Sequence, residues 1–151
     1  MAINQVFEQF SRFELLAPVG VVINPGDVLI FGRNQSANNN HLIVGVAQTG
    51  QSANNATGPT FDDNSGYITV QVSGAVQLTV SGFASKSPSA GAAINRGDAV
   101  FADGGVYDAT SGITTGNSLD ADTNGTFVGI AMDPVAAGAT TSIRVILKNA
   151  A

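Results

Sequence analysis

Short apolar runs, each broken within a few residues by turn formers, dominate the chain. Val76, Leu78 and Val80 alternate with polar residues, and so do Ile143, Val145 and Leu147. Tyr67 to Val72 reads Tyr-Ile-Thr-Val-Gln-Val with the same period of two. That period puts alternate side chains on one face of a strand. Val28 to Gly32, Ala99 to Ala102 and Thr126 to Met132 are further strand signals, and His41 to Ala47 suits a buried strand. Phe13 to Ala17 reads as a strand that ends at Pro18. Pro25-Gly26 marks a turn, because Pro presets φ and Gly tolerates φ > 0. The spacing predicts a mainly β chain, folded as one compact β-barrel or sandwich-like domain.

Other stretches read as connections. Asn34 to Asn40 and Gln48 to Gly66 are rich in Asn, Ser, Gly and Thr, and the second is long enough to touch a partner. Lys86 to Ala92 is a smaller linker. At the start, Val6, Phe7, Phe10 and Phe13 recur at helical spacings, although aromatic residues suit strands equally. Two readings stand there: a cap on the core, or an arm that docks on a partner.

The chain also echoes itself. Ile23-Asn24-Pro25-Gly26-Asp27-Val28 resembles Ile94-Asn95-Arg96-Gly97-Asp98-Ala99, at an offset of 94 − 23 = 71. Val44-Gly45-Val46-Ala47 follows the first copy, and Val128-Gly129-Ile130-Ala131 follows the second. An alternating strand closes each set, Tyr67 to Val72 and Ser142 to Leu147. Two related β modules are expected, 14–84 and 85–151, after an extended N-terminal arm over 1–13. Pro25, Gly26, Asp27, Gly97 and Asp98 are then structural turn residues. A single module is too small to bury both of its faces.

Composition narrows the functional classes. The 151 residues suit one domain; 44% are hydrophobic and only 11% charged. No apolar run approaches the roughly 20 residues of a spanning helix, so no membrane partner is expected. The net charge is −5, and the six basic residues are scattered: Arg12, Arg33, Lys86, Arg96, Arg144 and Lys148. Nucleic-acid binding draws much of its affinity from a basic patch that neutralises phosphates, and none is visible, so no nucleic-acid partner is expected. Cysteine is absent, which removes disulfides, thiolate nucleophiles and thiolate metal sites. Met1 to Gln9 has no basic region leading into an apolar one, so synthesis in a cytoplasm without secretion is expected.

Catalytic chemistry finds little to work with. His41 is the sole histidine and opens an apolar run, where a loop-edge role fits better than a general base. Most carboxylates stand beside Gly, Asn or Pro, where Asp bonds to the backbone two residues on. Asp120-Ala-Asp122-Thr-Asn124-Gly125 opens like a calcium loop, but Ala131 stands at the twelfth position, where a bidentate Glu is needed. A tight Asn-Gly turn is the better reading. Arg96-Gly97-Asp98 spells an adhesion tripeptide, yet the parallel Pro25-Gly26-Asp27 marks it as a turn. The Asn-x-Ser/Thr strings at Asn34, Asn55 and Asn124 read as accidents of composition without a secretion signal. No enzyme activity, catalytic residue, metal or cofactor is expected.

Four pieces of the second half carry a resemblance: Ala93 to Phe101, Asp108 to Gly112, Phe127 to Ala131, and Ala136 to Val145. Leu16-Ala17-Pro18, Gly26-Asp27, Val44 to Ala47 and Val70 to Gly74 fit the same pattern in the first half. In this order, over nearly the whole chain, they resemble the capsid cement, or head-decoration, proteins of tailed bacteriophages. The Asn-rich loops and the Phe-rich start depart from that pattern. The resemblance implies a structural protein on the outer surface of the virion. Its partners would be the major capsid protein and itself, as a homotrimer. It also implies an N-terminal arm lying along the capsid, with Ile3, Val6, Phe7, Phe10 and Phe13 as capsid or subunit contacts. A receptor- or carbohydrate-binding β module of a tail or spike is the alternative, with the long Asn/Ser/Thr loop as its contact surface.

Overall fold

The structure is a computed structural model that describes residues 12–16, 20–32, 43–50, 67–84 and 90–147. Across these residues the regular elements are all strands: β1 (Arg12–Leu16), β2 (Val28–Phe31), β3 (Ile43–Ala47), β4 (Tyr67–Gln71), β5 (Gly74–Ser81), β6 (Ala99–Asp103), β7 (Val106–Asp108), β8 (Ile113–Thr115), β9 (Ser118–Asp120), β10 (Thr126–Ala131) and β11 (Thr140–Leu147). They form two curled antiparallel sheets in a compact sandwich, so the expected mainly β fold is the observed one.

The two sheets repeat one another. The first runs β1-β4-β3-β2-β8-β7 and the second β5-β11-β10-β6-β9. Each opens on an edge strand, followed by the alternating strand, the Val-Gly-hydrophobic-Ala strand and the strand after the Gly-Asp turn. Register agrees as well as order. Ala47 lies opposite Val70, which lies opposite Phe13; Ala131 lies opposite Val145, which lies opposite Val76. Leu29 pairs with Gly45, and Val100 pairs with Gly129.

The fifth place in each sheet is filled from one stretch of chain. β8 pairs with β2 at Phe31↔Ile113, and β9 pairs with β6 at Ala102↔Leu119. Those positions match at the offset of 71. Only Gly116 and Asn117 separate the two strands, and Gly116 adopts φ 72°, which glycine tolerates without a Cβ clash. The Asn117 amide donates to the carbonyls of Val28 (3.0 Å) and Thr114 (3.2 Å), tying the crossing to the first sheet. β5, from the first half of the chain, stands in the second sheet. β7 and β8, from the second half, stand in the first. Neither sheet is therefore built from one half alone.

Burial follows the strand period. β5 and β11 bury Val76, Leu78, Val80, Ile143, Val145 and Leu147, and expose the residues between them. These side chains join Val100, Leu119, Val128, Ile94 and Val135 in the larger core. Val28, Ile30, Val44 and Val46, on one face of the first sheet, belong to the same cluster. The other face of that sheet makes a second core from Ile23, Leu29, Ala47, Ile68, Val70 and Ile113. The first sheet is thus apolar on both faces, which explains why β2 and β3 read as continuous apolar runs.

The main differences from the expected strands lie between residues 103 and 120. β7, β8 and β9 are three residues each, too short to show a period. β5 starts at Gly74 and β11 at Thr140, each two residues earlier than the apolar alternation suggested. Those extra residues are exposed, so hydrophobicity gave no signal for them.

Candidate functional site

The Gly-Asp turns are built alike, atom for atom. Asp27 Oδ2 accepts the Asn24 amide at 2.8 Å, and Asp98 Oδ2 accepts the Asn95 amide at 2.8 Å. The Asp27 amide donates to the Asn24 carbonyl at 3.0 Å, and Asp98 does the same to Asn95. Gly26 and Gly97 sit at φ 93° and 95°, where other residues are strained. Their amides reach Ala47 and Ala131, the last residues of the Val-Gly-hydrophobic-Ala strands. Ile23 and Ile94, at the start of each turn, are buried. Gly26, Asp27, Gly97 and Asp98 therefore hold β2 against β3 and β6 against β10.

Other carboxylates are engaged in the same way. Asp120 Oδ1 accepts the Asp122 amide at 2.8 Å, and Asp122 Oδ1 accepts both the backbone and side-chain N–H of Asn124 at 3.0 Å. The segment that opens like a calcium loop is thus a pair of side-chain-to-backbone turns. Asp108 accepts from the Ser111 hydroxyl and amide and from the Thr110 amide, which holds its carboxyl below the usual range. Asp133 makes a two-pronged pair with Arg144 at 2.6 and 2.8 Å and also accepts the Arg144 amide. The guanidinium lowers the Asp133 carboxyl and is itself raised. Arg96, of the adhesion-like tripeptide, donates Nε to the Met132 carbonyl at 2.8 Å. Among the described residues no three His, Cys, Asp or Glu side chains group as a metal site.

A cleft of about 360 Å³ opens where the two sheets meet. The first turn lines it with Pro25, Gly26, Asp27 and Val28. Gln77 and Thr79 of β5 face these, with Gly116, Asn117 and Leu119 between. At this place β5 and β9, the two edges of the second sheet, approach without pairing. Ala121 donates to the Phe83 carbonyl at 3.0 Å beyond them. Sequence reasoning missed Gln77, Thr79 and Asn117. Gly116-Asn117 is a turn signal, but nothing local says that this turn crosses from one sheet to the other.

Ile3, Val6, Phe7 and Phe10 lie outside the described residues, as do His41, Asn34 to Asn40 and most of Gln48 to Gly66. Phe13 falls in β1, paired opposite Val70. No protein-family model, curated protein or solved structure matches the chain.

Proposed function

We propose that the chain is a structural cement protein of a tailed-bacteriophage head, bound to the outer surface of the shell and bridging its subunits. The observation that carries this reading is the ordered succession of turn, strand and alternating strand, twice over, along nearly the whole chain. The turn geometry supports it. Asp27, Asp98, Asp108, Asp120, Asp122 and Asp133 are all engaged in holding the fold, so the reading turns from chemistry to surface binding without catalysis. The partners are the major capsid protein and further copies of the chain, as a homotrimer. Synthesis is in the host cytoplasm, and no metal or cofactor takes part. Repeated weak contacts on a lattice gain from multivalency, so no one contact needs to be strong.

The residues before β1 supply the arm, with Ile3, Val6, Phe7 and Phe10 as contacts; an extended arm can add a strand to an open sheet edge. The test uses expanded shells stripped of accessory proteins. The full chain should saturate them in a sedimentation assay and appear as added density by electron microscopy. Deleting residues 2–11, which leaves β1 whole, should abolish binding while the melting curve is retained. Full occupancy by the truncated chain would refute the arm, and no occupancy by the full chain would refute the shell reading. The polar lining of the cleft favours a receptor- or carbohydrate-binding module as the second reading. Specific glycan binding by a protein that leaves shells bare would establish that reading instead.

A further inference from the structure

The two Gly-Asp turns share a backbone but not their surroundings. Asp98 is exposed, whereas Asp27 is half-buried and lines the cleft between the sheets. At the offset of 71 the second turn has Arg96 where the first has Pro25. The first turn therefore presents an apolar ring and no cation of its own. Among the described residues that line the cleft, Asp27 alone is ionisable.

Inside the cleft the amide donors are spent and the acceptors are open. Asn117 uses its side-chain amide on the carbonyls of Val28 and Thr114. Gln77 donates Nε2 to the Ser142 hydroxyl at 3.1 Å, which leaves Oε1 as its accepting atom. Asp27 Oδ2 accepts the Asn24 amide at 2.8 Å, while Oδ1 accepts nothing from the described residues. The Thr79 hydroxyl also has no partner among them. Three oxygens, one of them on a carboxylate, thus share a cleft whose apolar wall is Pro25, Val28 and Leu119.

This inventory selects a ligand class. An anion would meet a carboxylate and no cation. Calcium takes six to eight oxygens, with several carboxylates among them in its usual sites, and finds one carboxylate here. A neutral sugar presents acceptors as well as donors, and the amide donors that would answer them are already used. A primary ammonium has three N–H donors and no acceptor, which is the complementary set. Its hydrocarbon stem suits the apolar wall, as lysine stems do on protein surfaces. A guanidinium fits less well, because its fork needs both oxygens of a carboxylate and the Asn24 amide holds one. The volume of about 360 Å³ lies at the small end of ligand pockets, roughly 300–1,000 Å³, which suits a single side chain.

We propose that the cleft is a binding site for a primary aliphatic ammonium group, brought by a lysine side chain or by a free aliphatic amine. The ammonium pairs with Asp27 and donates to Gln77 and Thr79, and its stem lies along Pro25, Val28 and Leu119. The site is independent of the arm and of the shell-binding reading, since it belongs to the isolated chain.

The test titrates Nα-acetyl-lysine amide and cadaverine separately into the full chain, read by amide chemical shifts in NMR. Saturable shifts should gather at Gly26, Asp27, Val28, Gly116 and Asn117, and leave Gly97 and Asp98 in place. Tighter binding of the lysine derivative assigns the ammonium to a side chain; tighter binding of cadaverine assigns it to a free amine. Asp27→Asn keeps an acceptor for the Asn24 amide but removes the charge, and should weaken binding about tenfold. Asp98→Asn makes the same change in the turn that has no cleft and should leave affinity unchanged. If Asp27→Asn loosens the fold, Thr79→Val, at an exposed strand position, decides the matter with a loss of about threefold. Nα-acetyl-arginine amide should bind more weakly than the lysine derivative. Equal shifts at both turns would overturn the proposal, because they would mean general pairing of amines with carboxylates. So would affinity untouched by both Asp27→Asn and Thr79→Val, or a neutral sugar that saturates the cleft where the amines do not.

Discussion

Asp27 and Asp98 each accept a backbone amide three residues earlier in the chain, at the same distance and in the same turn. Replacing either with Ala removes that acceptor and should cost about 1 kcal/mol, the usual net worth of such a bond. Urea unfolding of Asp27→Ala and Asp98→Ala should give losses of similar size; a loss at one turn only would contradict their equivalence. Asp133 behaves differently because its partner is a cation. Its carboxyl is lowered in the folded state, so its contribution is present above the unfolded value of about 4 and is lost as pH falls toward the lowered folded value. Asp108, lowered by Ser111 first and Thr110 last, shifts stability in the same direction. Melting temperature should therefore fall in acid more steeply for the parent chain than for Asp133→Asn. Parallel curves would show that the pair with Arg144 is open in solution.

Glycines within strands show how closely the elements approach. A Cβ at Gly129 would run into the backbone carbonyl of Ile146 on the neighbouring β11, which cannot move aside without disturbing the ladder. A Cβ at Gly45 would meet the methyl of Val70, a side chain, on the first sheet. Overpacking of this kind costs about 1–3 kcal/mol. Gly129→Ala should lie at or above the upper end and exceed Gly45→Ala, as read by denaturant midpoints. The reverse order would mean that the β10 bulge absorbs the added methyl. That bulge also fixes how β10 presents its side chains, since it sends Phe127 outward and Val128 inward.

At the scale of the whole molecule, exchange of strands between the sheets makes the halves interdependent. β5 is needed by the second sheet, and β8 is needed by the first. A chain cut to 14–84 lacks β7 and β8, and a chain cut to 85–151 lacks β5. Neither should fold alone, and the full chain should unfold in one transition with coincident probes. A cooperative melt of either half would show that its sheet closes without the borrowed strand.

Much of this was legible in the amino-acid order. The alternation of Val76, Leu78 and Val80, and of Ile143, Val145 and Leu147, states a strand and its inner face, because the pleat has a period of two. The echo at an offset of 71 identifies the paired turns, because a left-handed glycine followed by an amide-accepting Asp is a local device. Local sequence could not say where Val106 to Asp120 would go. Three-residue strands have no measurable period, and their partners lie about 80 residues away in β2 or, beyond the intervening β7 and β8, in β6. Only tertiary pairing sends β8 to one sheet and β9 to the other across Gly116 and Asn117.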